Sequence, residues 1–371
     1  MANYPSDVGY AWWLMEAFWA TISVEAGKAG RRCLLAFPEI NAVPAIIRDS
    51  PIDLLLWQVR PRSIGDAVRG ARRLRQLGVT SVYLTDWPAY SYVYVLWRMT
   101  GVRRIVLHDH TPGDRPALRG PRAWLKTLVH QCGIFSGSAY VGVSEYIQRR
   151  FTENGCVPAR KCFLVRNGIR AFSCVATARD EVRSRMGLPV SAMMVVLVSR
   201  ATTYKGWDFA VRCVGRLVAT EAPDAPVHFV FCGDGPDLES FRSLAAESGI
   251  AERCHFLGRR DDVREIVCAS DVAFHPSRGE ALSLATLEFM CAGLPVVLPD
   301  RPSVCGVVRD GVDGVLYPAE DLAAAVEALR PLLVEPDRRL RLGSAARETV
   351  LSGYLLEQTL ATLRRAVLPK L

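Results

Sequence analysis

The sequence predicts an α/β chain built from two doubly wound domains. Two series of short apolar runs carry that expectation, the first ending near residue 108 and the second starting at Ala192. A third observation is size. A chain of 371 residues, half of them apolar, holds enough hydrophobic material for two cores.

In the first series, Ala11–Lys28 reads as helix, Cys33–Phe37 and Ile52–Trp57 as strands, and Ser63–Leu77 as helix. Ser81–Leu84 then reads as strand, Val93–Met99 as helix and Arg104–His108 as strand. Strands separated by helices predict a parallel sheet with helices on its faces. The second series runs through strands at Ala192–Val198, Val227–Cys232, Cys254–Leu257, Val272–His275 and Val296–Leu298. A junction is expected at residues 168–190, after Asn167-Gly168. The domains are accordingly set at 1–170 and 171–350, with 351–371 a closing helix that crosses back to the first. Ligands in such folds sit at the carboxyl ends of strands, so a cleft between facing domains is expected to hold them. Only Met1–Pro5 precedes Gly9, too few residues for a full central strand, and the chain is expected to begin within or just after its first strand.

No apolar stretch reaches the eighteen or so residues of a membrane helix, and the N-terminus shows no secretory signal pattern. A cytoplasmic protein is expected. Eleven cysteines stand singly without a C-x-x-C pair, which predicts neither a disulfide framework nor a zinc cluster, and most are expected as buried small hydrophobes. The net charge of +8 is uneven. Residues 1–180 carry 24 Lys and Arg against 13 Asp and Glu, and residues 181–371 carry 22 against 25. Arg69, Arg72, Arg73 and Arg75, and Arg115, Arg119, Arg122 and Lys126, are candidates to meet an anionic membrane surface or an acidic acceptor, with a solvated surface the alternative. No recognition motif accompanies this charge, so no nucleic-acid partner is expected. Trp12, Trp13, Trp19, Trp57, Trp87 and Trp97 are expected mostly in the core, with sugar stacking or lipid contact the alternative.

The segment HPSRGEALSLATLEFMCAGLPVVL reads strand, loop, helix, strand. Ser283 is the expected N-cap, Gly293 the C′ residue, and Pro295 opens the next strand. Glu280 in the loop and Glu288, placed about two turns into the helix, lie on either side of a helix N-terminus whose backbone N–H groups suit a phosphate or diphosphate. A nucleotide-sugar has that layout: ribose diol, diphosphate, sugar hydroxyls.

These residues resemble the retaining glycosyltransferases of family 4, whose GT-B architecture pairs two Rossmann-like domains across a cleft. Their E-x-x-x-x-x-x-x-E and A-x-G-x-P-V-V elements stand here as EALSLATLE and CAGLPVV. SRATTYKGWDFAV, FVFCGDGPDLESF, CHFLGRRDDVREIVCASDVAFHPS and VVRDGVDGVLYP follow the same order, with YVGVSEYI and FLVRNGIR near the junction. The resemblance covers roughly residues 100 to 350 well and the first hundred weakly.

It implies a sugar transfer from a nucleotide-sugar to a hydroxyl acceptor, glycan, lipid-linked or small, without metal or other cofactor. No D-x-D motif occurs. Arg200 and Lys205 would grip the donor diphosphate and stabilise its departing charge. Glu288 would take the ribose hydroxyls and Glu280 those of the sugar, with the backbone of Leu282 and Ser283 near the diphosphate. Leu257 and Gly258 would meet the base, and Gly233 and Gly235 would permit a turn close to the nucleotide. His108 would face sugar and phosphate as a catalytic residue, with His110 the competing candidate, and Gly9 would let backbone approach the phosphate or acceptor. Glu280, Arg200 and Lys205 complete the catalytic set. Ser199, Ala281, Gly306 and Arg170 depart from the residues common in the family. Left open are a sugar-nucleotide epimerase or phosphorylase of the same architecture and a non-catalytic nucleotide-sugar-binding protein.

Overall fold

The computed structural model describes residues 1–371 apart from 3, 7–11, 190, 220–225 and 371. Gly9 thus lies outside the described residues. The described chain forms two compact units, one of Met1–Thr111, Arg115–Gly168 and Leu356–Leu371, the other of Pro112–Asp114 and Ile169–Leu355.

In the first unit the order is α1 (Trp12–Lys28), β1 (Cys33–Phe37), α2 (Ala45–Arg48), β2 (Ile52–Leu56), α3 (Ile64–Gln76), β3 (Ser81–Thr85), α4 (Tyr92–Met99), β4 (Arg104–Asp109), α5 (Pro121–Cys132), β5 (Ala139–Gly142), α6 (Glu145–Glu153) and β6 (Cys162–Leu164). Serines start three of the helices. Ser63, Ser91 and Ser144 each accept a hydrogen bond from a first-turn backbone N–H, of Asp66, Val93 and Ile147 respectively. All strand pairings are parallel, but the strands form two ladders, β1-β2 and β3-β4-β5-β6, rather than one sheet. Between them run the first residues of the chain: the Met1 amine donates to the Tyr83 carbonyl (2.9 Å) and Ala2 N–H to the Ala36 carbonyl (2.9 Å). None of the described residues before Trp12 is strand. The core gathers Phe18, Leu84, Trp97, Ile105, Val106 and Tyr140. Of the six tryptophans expected in the core, only Trp19 and Trp97 are buried.

The second unit continues with α7 (Ala176–Arg185), β7 (Met193–Val198), α8 (Trp207–Val218), β8 (Val227–Cys232), α9 (Leu238–Glu247), β9 (Cys254–Gly258), α10 (Val263–Cys268), β10 (Val272–Phe274), α11 (Leu284–Cys291), β11 (Val296–Asp300), β12 (Val315–Pro318), α12 (Leu322–Val334) and α13 (Pro336–Gly353). A last helix, α14 (Leu356–Ala366), belongs to the first unit. One six-stranded parallel sheet runs β12-β11-β10-β7-β8-β9. Its inner strands β7, β8, β10 and β11 are buried on both faces along most of their length, which is why they read as apolar runs such as MMVVLV. From β7 the chain winds outward through β8 and β9, then returns to the other flank of β7 with β10. That reversal places a topological switch point between β7 and β10, where an open parallel sheet presents its ligand crevice.

Cysteine usage departs from expectation. Cys174 and Cys268 form a disulfide, a pairing across 94 positions that singly placed cysteines do not announce. Four of the free cysteines are buried, Cys213, Cys232, Cys254 and Cys291, so most of the eleven are not. Among the described residues no helix is long and apolar enough to cross a membrane.

Candidate functional site

The loops leaving β7 and β10 hold the charged residues singled out in the sequence. The β7 loop carries Arg200 and ends in a short turn at Lys205; the β10 loop runs from His275 to Glu280. Lys205 Nζ lies 2.6 Å from Glu280 Oε1, and His275 Nε2 lies 3.0 Å from the same oxygen. A carboxylate only accepts, so His275 Nε2 carries the proton of that bond. Both contacts fall on Oε1, leaving Oε2 for a further donor. Glu280 is 8% exposed. Burial alone would raise its pKa, but Lys205 and His275 outweigh it and hold the carboxyl at about 2, ionised at neutral pH.

A clamp fixes this arrangement. Arg278, two residues before Glu280, makes two bonds to Asp208 in the first turn of α8 (2.8 and 3.0 Å), and pairs with Glu320 at 3.2 Å. It also donates to the Thr203 carbonyl, and its N–H donates to the Tyr204 carbonyl at 2.9 Å. Bidentate arginine contacts set geometry as well as charge, so the two loops are held in register.

The loops after β7, β8 and β9 are laced together by backbone bonds that prolong the sheet. Ser199 N–H donates to Cys232 O (3.1 Å), Ala201 N–H to Asp234 O (3.0 Å) and Gly233 N–H to Gly258 O (2.9 Å). Only glycine fits two of these positions. A Cβ on Gly233, at φ +145°, would strike the Ser199 carbonyl, and one on Gly235 would strike that of Ala201. Both glycines thus serve the packing of one loop on another. Ser199 has its own partner: its hydroxyl accepts the indole N–H of fully buried Trp207 at 2.8 Å.

Ser283 caps α11 by accepting from Thr286 N–H at 3.2 Å. The helix therefore starts at Leu284, and Glu288 is its fifth residue, little more than one turn in rather than two. Burial raises the Glu288 pKa, with the Arg264 cation acting in the opposite direction. The structure brings Lys205, Glu280 and His275 into contact; the Arg200 guanidinium is exposed and has no partner among the described residues. Leu282 and Ser283 are buried at the head of α11, while Leu257 and Gly258 close β9 beside an open concavity of ≈ 270 Å³ lined by Arg259, Arg260, Asp261 and Asp262. Sequence reasoning missed His275 and Arg278 as site residues. Their signal was position in HPSRGE, on either side of a turn leading to Glu280.

In the first unit His108 is fully buried at the end of β4, its Nδ1 bonded to the Tyr83 hydroxyl. The phenol proton has no other acceptor among the described residues, so Tyr83 donates and His108 carries its proton on Nε2. That Nε2 is buried with no partner among the described residues, and so is the Nε2 of His110. Burial keeps His108 neutral, well below its ordinary range, and lowers His110 to about 4.

Residues 178–349 match the family model described as glycosyl transferases group 1. That segment fills most of the second unit and contains the Lys205–Glu280–His275 contact. The match covers that domain, somewhat less than half of the chain. It is 29% identical over 177 residues to the D-inositol 3-phosphate glycosyltransferase of Corynebacterium efficiens, covering 46% of this chain and 42% of that protein. With the enzyme of the same name from Geodermatophilus obscurus it shares 29% identity over 259 residues, 68% of this chain and 56% of the relative. The match thus spans about two fifths of the corynebacterial relative's length and just over half of the other's. In fold, it is similar to a glycosyltransferase from Rickettsia africae (TM-score 0.77, 13% identity, 98% of both chains). It is likewise similar to HepE from Anabaena in complex with UDP and glucose (TM-score 0.74, 16% identity, 98% of this chain and 97% of that one). The fold is the two-domain Rossmann-like GT-B fold expected from the sequence.

Proposed function

We propose that the protein is a retaining glycosyltransferase that moves a hexosyl-type unit from a nucleotide-sugar to a hydroxyl acceptor, at an anionic membrane face of the cytoplasm. The observation that carries this reading is the Lys205–Glu280–His275 contact at the switch point of the second sheet, ahead of the capped α11. HepE, of the same fold, has been crystallised with UDP and glucose.

Each residue then has a task that its chemistry can perform. Lys205 and the exposed Arg200 meet the diphosphate, whose charge grows as the glycosidic bond breaks. Glu280 accepts from a sugar hydroxyl through Oε2, and Glu288 takes the ribose diol. His108 donates from Nε2 to a donor oxygen. The acceptor oxygen attacks the anomeric carbon on the face the leaving group departs from. The bond from that carbon to the phosphate oxygen breaks, and the departing oxygen takes the acceptor's proton. Two cations meeting the phosphate charge make the transfer independent of a divalent ion.

The test is a screen of UDP-, GDP- and ADP-sugars for thermal stabilisation, since a ligand at a hundred times its Kd adds about 2.7 kcal/mol. The stabilising donor is then incubated with hydroxyl acceptors and a chelator, and the product's anomeric configuration is read by NMR. Retained configuration in the transferred sugar is expected. An epimerised donor without transfer, or an inverted product, would overturn the reading.

A further inference from the structure

Helix α5 is amphipathic the wrong way round. Its outward face carries Trp124 (67% exposed), Leu125 (59%) and Leu128 (40%), the largest exposed apolar side chains of the helix. Lys126, Thr127 and His130 occupy the side turned to the protein. His130 is fully buried and bonds Ser136 at 2.7 Å, Thr127 donates to the Ala123 carbonyl, and Lys126 Nζ donates to the Asn154 carbonyl. A helix of a soluble domain normally turns its apolar stripe inward. Here Lys126, Thr127 and the Nδ1 of His130 each have a hydrogen bond on the inward side, while His130 Nε2 is buried with no partner among the described residues, and the apolar stripe is left at the surface.

The stripe continues past the helix C-terminus into Ile134 (46% exposed) and Phe135 (38%). Tyr90, 44% exposed, stands beside it with its ring 5.9 Å from that of His130. Exposed apolar residues scattered singly need no explanation, but a contiguous group of this size marks a contact surface. Charge identifies the partner. Residues 115–135 contain Arg115, Arg119, Arg122 and Lys126 and no acidic residue, and the three arginines are exposed. Bulky apolar groups rimmed by cations of one sign match an anionic bilayer, where tryptophan and leucine enter the headgroup region and arginine meets lipid phosphate.

We infer that α5 and the turn after it form the docking surface of the first unit for an anionic lipid bilayer, with Trp124, Leu125 and Leu128 inserted and Arg115, Arg119 and Arg122 on the headgroups. This locates the membrane contact of the function proposed above and rests on that part of it alone, not on sugar transfer.

The test uses the full chain without donor or acceptor, sedimented with vesicles of phosphatidylcholine alone or mixed with phosphatidylglycerol. Binding to the mixed vesicles only, weakened by salt, is expected. Each arginine near such a surface is worth about fivefold, so changing Arg115, Arg119 and Arg122 together to Gln weakens binding about a hundredfold. Trp124→Ser with Leu128→Ser reduces it by about tenfold or more. These side chains are exposed, so circular dichroism and Tm stay at wild-type values. The Glu280→Gln protein still sediments, which separates this inference from the transfer chemistry. No binding to the mixed vesicles, equal binding by both α5 variants, or an α5 variant that alters only self-association in ultracentrifugation would overturn it.

Discussion

Replacing Glu280 by Gln tests the charge state on which the candidate site depends. In the folded chain the carboxyl sits at about 2 against an ordinary 4.5, because Lys205 and His275 overcome its burial. That difference corresponds to about 3 kcal/mol of stability linked to one proton. The depressed value fixes the sign: the contribution is complete above about pH 5 and is lost as the pH falls through 4.5 toward 2. By pH 3.5 the linkage relation gives a loss of about 1.4 kcal/mol. The assay is urea unfolding of wild type and Glu280→Gln at a series of pH values from neutral to 3.5. Other carboxylates titrate in both proteins and drop out of the difference. The wild-type advantage should shrink by about 1.4 kcal/mol over that range. A difference independent of pH would show that Glu280 is not held ionised by its neighbours. In Lys205→Met the carboxyl keeps its burial and loses its cation, so the same pH dependence should weaken or change sign, with a cost of about 3 kcal/mol at neutral pH.

Arg200→Ala should leave Tm within the range of an ordinary surface change, about 0.5 kcal/mol, because the side chain has no partner among the described residues; transfer should fall about a hundredfold or more, read as kcat/KM for the donor. Ser199→Gly strands the Trp207 indole N–H in the core, and chemical denaturation should show a loss of about 1–3 kcal/mol. Gly233→Ala forces a Cβ into the Ser199 carbonyl at a positive φ, so the loops must separate; a loss above about 2 kcal/mol is expected, together with loss of donor-induced thermal stabilisation.

Most of the sheet in the second unit was legible because doubly buried strands announce themselves as apolar runs. Val227–Cys232 was placed with its correct ends, and Met193–Val198 missed by one residue. The capped start of α11 was legible for a local reason, a serine side chain bonded three residues ahead. What the sequence did not disclose depends on residues far apart in the chain. The Arg278 clamp joins Asp208 and Glu320, the Cys174–Cys268 bridge spans 94 positions, and the Trp207–Ser199 bond explains a departure that had no local account. Trp124 escaped notice because exposure is a property of packing; its helix looks ordinary until its polar side is found facing inward.

The hydrogen bonds that carry the β7, β8 and β9 ladder beyond its strands leave the crevice without independently movable walls. Lengthening the loop after β8 by one residue would shift Gly233 and Asp234 off the carbonyls and amides they engage, and Arg200 would move with its neighbours. Divergence toward a new nucleotide is therefore cheapest by exchanging side chains on an unchanged frame.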